Sequence, residues 1–107
     1  MVINDQQMVY DVLAALMEAG ITTATLIESQ GMGKIVAEQM PIFAGFRNLW
    51  GGGSAYSTTV FTVVDDARLP EAAELVRTVM FEEAEKPGGV FFTLPVDHFY
   101  ARPASDK

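Results

Sequence analysis

Apolar positions along the chain switch between helical and alternating spacing. Val9, Val12, Leu13, Leu16 and Met17 recur at three- and four-residue steps, which predicts a helix over 5–19. Asn4 is its expected N-cap, Gln7 sits at the third helical position as in a capping box, and Gly20 supplies the stop. Only Val2 and Ile3 lie ahead of this helix, so any opening strand is very short. Residues 21–30, ITTATLIESQ, and 57–65, STTVFTVVD, are rich in β-branched side chains and read as strands. Asp65, Asp66 and Pro70 then turn the chain into a second helix. Pro70 fits its first position, Glu71 and Glu74 fall in its first turn, and Ala72, Ala73, Val76, Val79 and Met80 form its stripe. EKPGG at 85–89 ends it. VFFTLPV at 90–96 reads as a final strand, with Pro95 placing that strand's end at an edge. Residues 101–107 form a loose tail.

The order is strand, helix, strand, long connection, strand, helix, strand. This predicts an α+β, ferredoxin-like βαββαβ fold, a single domain over 1–107 with two helices on one face of an antiparallel sheet. One helical layer cannot cover both faces. Thr23, Thr25, Ile27 or their neighbours then line the open face, and an oligomer is expected. The connection over 31–56 is long for a compact domain, and such loops usually carry function. Pro41 is placed to open a short helix over 41–50, with Ile42, Phe46, Leu49 and Trp50 on one side, followed by a hinge at Gly51, Gly52 and Gly53.

Composition narrows the chemistry. Seven basic and 14 acidic side chains give a formal charge of −7, which argues against nucleic acid as a partner. Cysteine is absent and His98 is the single histidine, so disulfides, thiolate metal sites and multi-imidazole sites are excluded. No metal and no required cofactor are expected. The start, MVINDQQ, is unlike a secretory signal, and the apolar run Val12 to Met17 is too short to span a bilayer. A cytoplasmic protein without membrane insertion is the expectation.

Two glycine turns are candidate anion sites. Gly31-Met32-Gly33-Lys34 offers exposed N–H groups beside an ammonium, without Walker A spacing, and equally reads as a tight turn with a solvated lysine. Lys86-Pro87-Gly88-Gly89 reads as a helix stop, or as the other wall of the same cleft if the two loops meet across a subunit boundary. Arg102 is either an anion contact or a solvated tail residue. Asp97 and His98 are neighbours in extended chain and point apart, so they form no dyad. Glu82, Glu83 and Glu85 read as a solvated helix end. Phe43, Phe46 and Trp50, with Arg47 among them, form either a hydrophobic cap or a surface that docks a partner protein.

Three stretches, LMEAGITTATLIESQGMGK, STTVFTVVDDARLPEAAELV and KPGGVFFTLPVDHF, together resemble the PII signal-transduction proteins and their PII-like relatives over nearly the whole chain. The resemblance implies a trimer of ferredoxin-like subunits that is not an enzyme. It further implies an adenine nucleotide or related small effector bound between subunits, and a T-loop that docks on a target protein. Carried onto this chain, the T-loop entry is Gly31, Gly33 and Lys34, the B-loop is Lys86, Gly88 and Gly89, and Arg102 is a phosphate contact. Tyr56 stands at the far end of the connection rather than in the setting of the modified T-loop tyrosine, and no lysine follows Gly89. A different class on the same fold is a small hydrolase acting on acyl phosphates through Arg47 and Asn48. A cation-tolerance-type trimer is the third reading.

Overall fold

A computed structural model describes residues 1–40, 42, 56–86 and 88–102. Strand β1 is Val2–Ile3, helix α1 is Gln6–Glu18, and strand β2 is Thr25–Glu28. Helix α2 is Met32–Gln39, strand β3 is Thr58–Phe61, and helix α3 is Leu69–Arg77, continued by a π-helical turn over Thr78–Glu82. The sheet order is β1-β3-β2, all antiparallel. Val90 adds one antiparallel bridge to Val2 on the outer side of β1. The full order is therefore the last segment, β1, β3, β2, which is the ferredoxin-like arrangement expected from the element order.

Each helix forms for a local reason. Asp5, not Asn4, caps α1: its carboxylate accepts from the Gln7 backbone N–H at 2.9 Å. One residue separates the two assignments, and both side chains are good caps. Gly20 ends the helix at φ +83, a conformation most side chains resist. The side chain of Arg68 donates to the Gly20 carbonyl at 2.7 Å, tying the end of α1 to the entry of α3. Asp65 accepts from the Arg68 N–H and turns the chain into α3, which starts at Leu69, so Pro70 is its second residue rather than its first.

Helix α1 packs on β1 and against α3 and the π turn, and one buried cluster joins all of them to Val60 of β3. Ile3, Val12, Val60, Val76 and Met80 are fully buried between the layers. Each contributes roughly 1.5–3 kcal/mol by leaving water. Met17 is exposed although it shares the helical spacing, and Met8 is buried in its place. The buried stripe is Met8, Val9, Val12, Ala15 and Leu16, rotated from the expected Val9, Val12, Leu13, Leu16 and Met17.

Two expectations change. The final strand over 90–96 does not form beyond the bridge at Val90: residues 91–96 have no strand pairing. The reason lies in β1, whose two residues offer the last segment only Val2 as a partner. The turn at Gly31 is not a turn but the start of α2, whose Met32, Ile35 and Val36 fall at helical spacing. The short helix expected over 41–50 and the glycine hinge at 51–53 lie outside the described residues, Ile42 excepted, as does the tail beyond Arg102.

Candidate functional site

The site starts at the end of β2. Gly31 is the N-cap of α2, in extended conformation, with no side-chain cap. The first N–H groups of α2 therefore have no intrahelical acceptor, and they point along the positive end of the helix dipole. A methyl group built on Gly31 would meet nothing within 4 Å, so the approach to these donors is open. Lys34 stands in the first turn, half-buried, and Gly33 is buried. Uncapped donors, open space and a nearby ammonium are what a small anion requires.

The second glycine turn has a different character. Gly88 donates to the Met80 carbonyl at 3.4 Å. Gly89 has φ +87, and a Cβ there would lie 2.6 Å from the Val2 carbonyl oxygen and 2.9 Å from Met80 Cε. Gly89 is thus a packing glycine that lets the chain pass β1 closely enough for the paired Val2–Val90 hydrogen bonds of 2.8 and 2.9 Å. Lys86 and Arg102 are exposed. Among the described residues, salt bridges engage only Arg68 and Arg77 of the basic side chains. Lys34, Lys86 and Arg102 enter none.

The register fixes how the two turns relate. Val90 pairs with Val2, Val2 with Thr59, and Thr59 with Ile27, making one row across the sheet. Gly31 lies just beyond the β2 edge of that row and Gly89 at the opposite edge. Three strand spacings, about 14 Å, separate the edges. β1 and β2 run parallel to each other, and the last segment enters antiparallel to β1. Both turns therefore sit at the same end of the sheet but on opposite sides, and one chain does not bring them into a single cleft.

Three hydroxyls missed by the sequence reading mark the neck of the connection. Ser29 and Ser57 contact each other at 3.0 Å, Thr59 donates to Ser29 at 3.0 Å, and the Ser29 N–H donates to the Ser57 carbonyl at 3.0 Å. Their only sequence signal is that two serines bracket the connection at positions facing the same way in the two strands. Phe43, Phe46, Arg47 and Trp50 lie outside the described residues.

The match to the nitrogen regulatory protein P-II family model covers residues 1–102, which includes every element above. The chain belongs to the P-II family. No curated protein and no solved structure matches it. Membership agrees with the ferredoxin-like order and the short first strand. Among the described residues, no helix is long and apolar enough to cross a membrane, and no group of three or more His, Asp or Glu side chains is placed to hold a metal ion.

Proposed function

We propose that this P-II family chain is a non-enzymatic cytoplasmic signalling protein. It assembles as a homotrimer, binds an adenine nucleotide or a related small anion between subunits, and regulates a partner protein through the connection over 31–56. The observation that carries this reading is the placement of the two glycine turns at one end of the sheet and on opposite edges. Side by side, two copies would set the open N-terminus of α2 in one against Lys86 and the Gly88–Gly89 turn of the next. The sheet face away from the helices supports assembly. Thr25 and Ile27 are exposed on it as expected, with Phe61, and the extended segment beyond Val90 exposes Phe92, Leu94 and Val96. This much apolar surface on one side suits burial against further copies.

The test is a thermal-shift panel of ATP, ADP, AMP, cyclic AMP and cyclic di-AMP, run beside light-scattering mass and the emission of Trp50, the single tryptophan. A bound nucleotide at a hundredfold excess over its dissociation constant adds about 2.7 kcal/mol. Gly31→Asp is the informative variant. Its Cβ has room and aspartate is a good N-cap, so the free protein should keep its stability while the carboxylate repels a phosphate. A trimer whose nucleotide shift and Trp50 response vanish in Gly31→Asp supports the proposal. A monomeric mass, or a panel without any shift from a folded trimer, overturns it.

A further inference from the structure

On the helical side of the domain, away from the open sheet face, a cleft of about 560 Å³ runs between α1 and the junction of α3 with the π turn. Its α1 wall is Asp11, Ala14, Ala15 and Glu18, one stripe along two helical turns, about 10 Å long. Ala15 is buried and forms floor, while Asp11, Ala14 and Glu18 are exposed. The facing wall is Leu75, Thr78 and Val79, ending in Glu83 and Ala84. The π turn, closed by the Glu83 N–H on the Thr78 carbonyl at 2.8 Å, carries Glu83 and Ala84 into this wall. The cleft therefore has an apolar strip of Ala15, Leu75 and Val79, with Thr78 beside it and carboxylates at its rims.

None of the three rim carboxylates is ion-paired among the described residues. Arg77, on the neighbouring helix, is already held by Glu74 and Glu82 at 2.6 Å each and has no spare charge for the rim. Two carboxylates of α1 and one just past the π turn are thus exposed without an ion-pair partner among the described residues, in a chain of net charge −7.

We infer that this cleft docks a basic amphipathic helix of a partner protein. Apolar side chains of that helix lie on Ala15, Leu75 and Val79, and its Lys or Arg side chains reach Asp11, Glu18 and Glu83. Small residues at Ala14 and Ala84 let the partner's backbone approach, and the stripe from Asp11 to Glu18 matches about two turns of helix. A trimer built on the sheet face, as proposed above, leaves this side free, so the surface is separate from the proposed effector site at the start of α2.

The probe is a fluorescein-labelled Leu/Lys peptide of helical apolar period, read by anisotropy on the full chain. A scrambled peptide of equal composition and charge is the comparison. Amide chemical shifts of Ala14, Ala15, Val79 and Ala84 locate the binding. The amphipathic peptide should bind at least about tenfold tighter than the scrambled one, equivalent to 1.4 kcal/mol. Ala14→Leu, at an exposed position where the larger side chain narrows the cleft, should remove that preference. Asp66→Asn, which removes one exposed acid outside the cleft, should leave it within about twofold. Equal binding of the scrambled peptide means bulk charge attraction and overturns the inference. Equal effects of Ala14→Leu and Asp66→Asn, or shifts confined to other residues, also overturn it. So does full competition by spermine, which would make the occupant a small polycation rather than a helix.

Discussion

Replacing Gly89 by alanine should cost the domain much of its stability, although the position looks like any loop glycine. Left-handed backbone carries a penalty of roughly 1–2 kcal/mol for a residue with a Cβ. The added carbon would also lie 2.6 Å from the Val2 carbonyl oxygen, a backbone atom of strand β1 that cannot move without breaking the Val2–Val90 pair. Such overpacking costs typically 1–3 kcal/mol more. The combined loss of about 2–5 kcal/mol is a large share of a small domain's stability. At this chain length it lowers Tm by roughly 8–20 °C, since each kcal/mol corresponds to about 4 °C. The assay is thermal denaturation followed by circular dichroism at one fixed protomer concentration. Gly89→Asn separates the causes, because asparagine tolerates left-handed backbone but still brings a Cβ. It should recover part of the loss and retain the steric share. Gly31→Ala is the reference: its φ of −76 suits alanine and nothing lies within 4 Å, so it should stay within about 1 kcal/mol of the parent. A Gly89→Ala protein melting within about 2 °C of the parent would refute the reasoning.

Two further outcomes follow from local geometry. Asp5→Ala removes the carboxylate that accepts from Gln7 and should cost about 0.5–2 kcal/mol, read as a lower urea midpoint with unchanged slope; Asn4→Ala should change it little. The Arg77 guanidinium, hydrogen-bonded to Glu74 and charged beside it, holds that carboxyl below its ordinary 4.5. A depressed carboxylate stabilises above the unfolded value and loses that contribution as pH falls through the folded one. The Tm gap between parent and Glu74→Gln should therefore be present at pH 7 and close in acid. A gap that widens as pH falls contradicts the ion pair.

The element order was legible because it rests on periodicity, which needs no partner: α1, α3 and the β-branched runs around β2 and β3 announce themselves. What was not legible depends on neighbours. The alternation of Val90, Phe92, Leu94 and Val96 is a true strand pattern, but a strand requires an edge, and β1 offers two residues. Helix α2 was hidden because Gly31 and Gly33 read as turn glycines, while its apolar triplet Met32, Ile35 and Val36 is too short to outweigh them. At the candidate site, Gly31 and Gly89 are indistinguishable as letters. Only backbone conformation and the distance to Val2 separate a glycine that leaves room for a ligand from one that leaves room for a strand. Ser29 and Ser57, just beyond the strand ends, and Thr59 are ordinary residues until the register of β2 against β3 sets them side by side.

That register has an evolutionary consequence. Ser29 and Ser57 are 28 positions apart, yet a backbone hydrogen bond and shared hydroxyls join them, so the sheet below is complete without what lies between. Closing a loop half as long changes the entropy by only about 0.6 kcal/mol. The pairing of β2 with β3 therefore sets little limit on the length of chain beyond α2. Under the function proposed above, a change of length there would alter which partner the protein meets while the strand pairing of Ser29 and Ser57 stays as it is.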